Sequence, residues 1–152
     1  MSRVEIIDNL WLGTCNSVKS GDIIMEIDAI FNLSAYDLYI EGLMQIYNIP
    51  VGRPMPNYEY KFTSLLNSMA TCIDRHMQQG EQVLVVSNNL NGPAMVLVLY
   101  LICHADISLE DAKNIVSKKI RSIGEFVFFT EDLLGWINGA VPKTPGRPFH
   151  SV

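Results

Sequence analysis

One stretch of this chain has the residue types and spacing to do chemistry: Val83-Leu84-Val85-Val86-Ser87-Asn88-Asn89-Leu90-Asn91-Gly92-Pro93-Ala94-Met95. Four apolar residues lead into a short, mostly polar segment, and then into an apolar run that opens near Pro93. That order predicts a buried strand, a loop and a helix. Such a loop presents backbone N–H groups, backed by the positive end of the helix, to an anion such as phosphate. The side chains that phosphate chemistry uses are missing. From Ser87 to Pro93 there is no Cys, His, Lys or Arg. Ser87 supplies a hydroxyl, but the loop holds no base to take its proton. The side chains of Asn88, Asn89 and Asn91 either satisfy the backbone of the turn, their ordinary use, or bind something neutral.

Other candidates carry less. His76 falls on the polar side of a helical stripe, and His104 follows the apolar helix. Neither has a Cys or carboxylate partner at motif spacing, so both read as surface or capping residues. Cys15, Cys72 and Cys103 are odd in number and far apart. They predict neither a metal pair nor a disulfide framework, and they fit a reducing, intracellular compartment, cytoplasmic or nuclear. Cys72 and Cys103 fall within helices and read as inert core thiols. Arg121 can reach an anion near the loop, although nothing in the sequence demands it. No metal site and no cofactor are expected.

The surrounding elements must position the loop. Val4 to Gly13 holds two short apolar runs about Asp8-Asn9, a pair that tolerates φ > 0 and predicts a tight hairpin. A short helix is expected to close at Ile23–Ile27. Ala29–Leu33 and Gln45–Ile49 read as strands, the second stopped by Pro50. Gly52–Asn57 is a loop by composition, with Asn57 placed to cap the next helix. Phe62, Leu65, Leu66, Met69, Ile73 and Met77 then recur at helical spacing, a core stripe ended by Gly80. Pro93 suits the first turn of the helix after the loop. Ser108-Leu109-Glu110-Asp111 and Thr130-Glu131-Asp132-Leu133 each open a further helix. Strands alternate with helices, which predicts an α/β fold: a short central mixed sheet with helices on both sides.

Bulk properties set limits. At 152 residues the chain is long enough for one domain with a real core. It is 49% hydrophobic and 18% charged, which implies a well-filled core or an apolar patch for a protein partner. The net charge of −5 argues against a nucleic-acid surface. Pro93 to Cys103, the longest apolar run, is too short to span a membrane. The organisation expected is a domain over 1–141 and a flexible Pro-rich tail over 142–152. The Pro142, Pro145 and Pro148 spacing can suit a proline-reading domain, but a linker end is the plainer reading.

Five segments together resemble the dual-specificity protein phosphatases, within the Cys-based protein tyrosine phosphatase superfamily. Asn9-Leu10-Trp11-Leu12-Gly13 is similar to that family's opening "LYLG", and Ile30-Phe31-Asn32-Leu33-Ser34 to its "ILNLS" strand. Tyr47-Asn48-Ile49-Pro50 is similar to its "Y-x-I-P" strand, and Ser108-Leu109-Glu110-Asp111-Ala112 to its "S-L-E-D-A" helix start. Their order and spacing about Val83-Leu84-Val85 extend the likeness from about Ile6 to Trp136. In the family the strand leads into His-Cys-x-x-Gly-x-x-Arg-Ser. Here Val86 stands at the His position, Ser87 at the nucleophile, Leu90 at the Gly, Pro93 at the Arg and Ala94 at the Ser. Arg53 stands at the general acid, and no Asp lies between Asp37 and Asp74 to replace it.

Each replacement has a physical consequence. The family's nucleophile is a low-pKa thiolate, and a Ser hydroxyl keeps its proton near neutral pH. The Arg clamp is bidentate, whereas Pro93 has no charge and no N–H. A missing acid costs about 10²–10⁴-fold in rate. Leu90 in a left-handed conformation would cost about 1–3 kcal/mol. A turn built on Asn88, Asn89, Asn91 and Gly92, types that tolerate left-handed angles, can still form with altered amide directions. The resemblance therefore implies a pseudophosphatase whose residues 87–93 are a relic loop. It would act by binding a protein: a phosphoprotein, a kinase or an active phosphatase of the same pathway, with a homodimer as one form. Two alternatives stand beside it: a weak or divergent phosphohydrolase using another nucleophile, and a self-associating structural protein.

Overall fold

The hairpin at the start of the chain turns on a residue with φ > 0. Asn9 has φ 73°, a value that Asn tolerates, and its N–H donates to Glu5 Oε2 at 3.0 Å. The turn joins β1 (Arg3–Ile7) to β2 (Leu10–Gly13), antiparallel, with a register shift between Glu5 and Ile7. In this computed structural model the described residues are 3–18, 26–34, 36–40, 42, 44–49 and 58–141. β3 (Ala29–Asn32), β4 (Gln45–Asn48) and β5 (Val83–Val86) complete a five-stranded sheet in the order β1-β2-β5-β3-β4. β5 is central and parallel to both β2 and β3, and β3 is parallel to β4. The last residues of β2, β3, β4 and β5 therefore share one edge of the sheet, and the loop at Ser87 leaves from that edge.

β5 is buried along its whole length because it is paired on both sides and covered on both faces. Val83 and Val85 join Leu10, Leu12, Ala29 and Phe31 on the face covered by the α-helices. Leu84 and Val86 join Ile30 on the other face, beneath Val18 of the 3-10 helix Cys15–Val18 and beneath Ile27, Leu38, Ile40 and Met44. Among the described residues the α-helices thus cover the first face, and the second is covered by the 3-10 helix and by non-helical residues.

Four α-helices follow: α1 (Tyr58–Gln78), α2 (Asn91–His104), α3 (Leu109–Ser122) and α4 (Glu131–Ala140). Leu66, Met69 and Ile73 of the α1 stripe are buried, with Leu65 and Met77 packed against them. α1 stops at Gly80, φ 73°, where the Glu81 N–H bonds the His76 carbonyl at 3.2 Å and the Gly80 N–H bonds that of Met77 at 3.0 Å. α2 is the central helix, buried from Pro93 to Ile102 and packed on the other three, which accounts for its all-round apolar sequence. Ser108 Oγ accepts the Asp111 N–H at 3.1 Å and Thr130 Oγ1 accepts that of Leu133 at 3.3 Å, so each of the two expected helix starts carries an N-cap. Of the short helix expected at Ile23–Ile27, Glu26 lies in a turn and Ile27 is non-helical and buried, while residues 23–25 lie outside the described residues. The Gly52–Asn57 loop, the Asn57 cap, Arg53 and the tail from Pro142 also lie outside them.

Candidate functional site

The loop after β5 is closed on itself. Gly13 pairs with Val86, and the Ser87 N–H continues that ladder to the Gly13 carbonyl at 3.3 Å. The Ser87 side chain turns inward, leaving the residue 6% exposed, and its Oγ accepts the Asn89 N–H at 3.4 Å. Asn89 Oδ1 accepts the Asn91 N–H at 2.9 Å. The Leu90 carbonyl then accepts the first helical bond, from Ala94 at 2.9 Å. Two N–H groups that a phosphate cradle would aim at its anion are therefore bonded to the loop's own side chains. Pro93, in the first turn of α2, has no N–H to offer.

The expectation of left-handed strain at Leu90 is corrected. Leu90 has φ −80° and ψ 0°, a right-handed conformation, and its side chain is buried in the main core. Among the described non-glycine residues only Asn9 and Asp106 have positive φ, so Asn88, Asn89 and Asn91 do not either. The chain enters α2 through right-handed angles, and Asn89 works as a turn-forming side chain. Val86 and Ala94, at the His and Ser positions of the resembled motif, are both fully buried core residues.

The two histidines also depart from expectation. His76 is on the buried side of α1, not the polar side. Its Nδ1 is 2.9 Å from Glu81 Oε1 and its Nε2 is 2.9 Å from the Tyr47 hydroxyl, with its ring edge-on to Phe31 and Tyr47. Both ring nitrogens are thereby engaged. His104 stacks on Tyr100 and pairs with Asp74 at 3.5 Å. It ends α2, about 20 Å along the helix from the loop. Both carboxylate partners come from outside motif spacing, which is why the sequence did not disclose them. Burial raises the Tyr47 hydroxyl above its ordinary pKa, with a hydrogen bond to Cys72 adding to the shift. Burial does the same at Tyr100, with the Asp74 charge second. Arg121 is exposed in the last turn of α3 and forms no ion pair with a described residue. Cys15 opens the 3-10 helix two residues past Gly13, at the same sheet edge as Ser87, and its thiol is free.

Sequence reasoning missed a polar network at this edge. Asn32 and Asn48 end adjacent strands in register. Asn32 is fully buried; its Nδ2 donates to the Tyr36 carbonyl and to Asn48 Oδ1, each at 2.8 Å. Its Oδ1 accepts from the Ser34 N–H at 3.0 Å and from Ser34 Oγ at 2.7 Å. Asn48 holds both the N–H (2.9 Å) and the carbonyl (3.2 Å) of Leu38. The network holds Ser34, Tyr36 and Leu38 at this edge. An Asn at the end of each of two neighbouring strands was the available signal.

Among the described residues no group of three His, Cys, Asp or Glu side chains is placed to hold a metal ion. No helix there is long and apolar enough to cross a membrane.

No protein-family model matches the sequence, and no curated protein matches it. Solved structures do. Human DUSP28 superposes with a TM-score of 0.74 over 93% of each chain at 18% identity. Tk-PTP in its active form gives 0.67 over 91% of this chain and 95% of its own at 16% identity. The human tyrosine phosphatase-like serine/threonine/tyrosine-interacting protein gives 0.59 over 88% and 91% at 16% identity. The chain therefore has the α/β fold of the dual-specificity phosphatases, as its motifs implied. At these identities the likeness is one of fold.

Proposed function

We propose that this chain is a catalytically inactive domain of phosphatase fold, a pseudophosphatase, that works by binding another protein of phosphoprotein signalling. The observation that carries the reading is the loop itself. The nucleophile position holds a buried Ser whose Oγ already accepts a backbone N–H, and the clamp position holds Pro93. No described His is free to act as a base there. A hydroxyl with no base and a transition state with no cation leave phosphoryl transfer without either main source of rate. Arg53 at the acid position adds a third loss. Residues 1–141 would form the binding domain, with 142–152 as its tail, and Cys15, Cys72 and Cys103, none in a disulfide among the described residues, suit an intracellular compartment.

The test is turnover of para-nitrophenyl phosphate by the purified chain. The expected rate equals that of a variant with Asn89 and Asn91 both replaced by Ala. Turnover above background that falls in that variant, or in Cys15→Ser, would overturn the reading in favour of a divergent phosphohydrolase. Cys15 is included because it is the thiol on the same sheet edge as Ser87.

A further inference from the structure

The described chain leaves four large hydrophobic side chains exposed, and they lie on just two segments. Tyr36 and Tyr39 follow β3, and Phe126 and Phe128 lie between α3 and α4; all are 69–86% exposed. Topology carries both segments to the end of the domain that holds the 87–91 loop. β3 runs parallel to β5 and pairs Asn32 with Val86, so residues 33–40 leave from the Ser87 edge. α2 starts at that edge and runs away from it. The four-residue connection 105–108 then returns α3 along α2, as short links between packed helices do, and brings 123–130 back. Scattered single hydrophobics need no explanation, but aromatics gathered at one end mark a contact surface.

The charge on these segments is of one sign. Segments 33–40, 87–92 and 123–134 carry Asp37, Glu125, Glu131 and Asp132, and no Lys or Arg. The cations that flank them among the described residues include Lys119 and Arg121, on the last turn of α3, and Arg3, which pairs with Gly13 at the same sheet edge and lies over the Trp11 ring. The exposed centre of the loop offers Asn88 and Asn89, neutral amides. A phosphorylated ligand would meet carboxylates here. A guanidinium or ammonium would meet carboxylates and aromatic faces together.

We infer that this end of the domain docks an unphosphorylated, arginine- or lysine-bearing segment of a partner protein, held between the Tyr36/Tyr39 and Phe126/Phe128 pairs. The inference rests on the reading of the chain as a binding protein and names the chemistry of what it binds. The abandoned phosphate site would thus have become the floor of a surface that selects cations. The network about Asn32 and Asn48 keeps the 33–38 side of that surface in place without its ligand.

The test is fluorescence anisotropy of the full chain with three labelled peptides: one alternating arginine and proline, the same peptide with glutamate for arginine, and a phosphotyrosine peptide. Saturable binding is expected with the arginine peptide alone, weakening as salt is raised. Phe126→Ser/Phe128→Ser and Tyr36→Ser/Tyr39→Ser are each expected to weaken it about fivefold to tenfold, and Asp37→Lys/Glu125→Lys at least as much. All six positions are exposed, so the fold is retained. Binding unchanged by both aromatic double variants, or tighter binding of the phosphotyrosine peptide, would overturn the inference. So would self-association of the wild type that is lost in Phe126→Ser/Phe128→Ser, since the occupant would then be a second copy. Absent peptide binding beside absent phosphate turnover removes this inference alone, whereas turnover removes the reading beneath it.

Discussion

Asn32→Leu measures how firmly the sheet edge at the 87–93 loop is held. The Asn32 side chain is fully buried and makes four hydrogen bonds: to the Tyr36 carbonyl, to Asn48 Oδ1, and from the Ser34 N–H and hydroxyl. Leu has a similar volume and none of these partners. Four such bonds at about 0.5–1.5 kcal/mol each amount to about 2–6 kcal/mol. Burying the new methyl groups returns about 1.5–3 kcal/mol. The Ser34 hydroxyl keeps its 2.8 Å bond to the Tyr36 carbonyl, so the Ser34 N–H is the main group left buried without its partner. With about 1 kcal/mol added for that unpaired buried amide, the net loss should be about 3 kcal/mol, and for a domain of this size a fall in Tm of about 6–12 °C. Calorimetry or denaturant unfolding reads it directly, with Asn48→Ala as the comparison. Asn48 is exposed, the Leu38 backbone groups it frees can turn to water, and the buried Asn32 Nδ2 keeps its bond to the Tyr36 carbonyl, so that variant should lose only about 0.5–1.5 kcal/mol. A loss for Asn32→Leu below about 1 kcal/mol, or no larger than that of Asn48→Ala, would refute the claim that this network anchors the edge.

Other expectations follow from the same geometry. Leu90→Gly, which restores the residue of the resembled motif, should destabilise the chain by about 3–5 kcal/mol, because Leu90 is an unstrained core side chain; a neutral or stabilising effect in denaturant unfolding would show strain that its φ of −80° denies. Ser87→Cys alone should leave aryl phosphate turnover at background, since the absent acid by itself is worth about 10²–10⁴-fold; measurable turnover would mean that the loop still gathers phosphate. Tyr47 and Tyr100 have pKa values raised above 10.0 in the folded state, so the fold holds their protons longer than the unfolded chain does. Their contribution is complete below pH 10 and is lost as pH climbs through the raised values. Stability should therefore fall on the alkaline side, and Tyr100→Phe should flatten that fall in a pH series of unfolding curves; an unchanged slope would contradict it.

The legible parts of the fold were those set by local chemistry. Asp8-Asn9 between two apolar runs marked the hairpin, Ser108 and Thr130 marked helix starts, and Gly80 marked a helix end, each a short-range backbone requirement. Continuous apolar runs at Val83–Val86 and Pro93–Cys103 marked the strand and helix buried from every side. The features that escaped were pairings outside the local helical and strand spacings. Tyr47 reaches His76 because α1 packs across the sheet, and Glu81 reaches it from the turn that ends α1, five residues on. The polar side assigned to His76 failed for that reason: its ring is satisfied by partners that the helical pattern does not contain. Asn32 and Asn48 gave a visible signal, two Asn closing two strands, but their meaning depends on register. In the loop, the resemblance implied which residue stands at each position of the family's motif. The conformation of Leu90 was not, because burial of its side chain decided it.

The central claim is that the loop no longer cradles phosphate, because the N–H groups of Asn89 and Asn91 are committed to Ser87 Oγ and Asn89 Oδ1. Amide-resolved NMR of the ¹⁵N-labelled chain, titrated with inorganic phosphate at constant ionic strength, tests it directly. The amides of residues 87–92 should show no saturable shift at concentrations up to about 10 mM, meaning a Kd weaker than about 10 mM. A saturable shift centred on Asn89 and Asn91 at lower concentrations would contradict it, and would return the loop to the class of working phosphate sites.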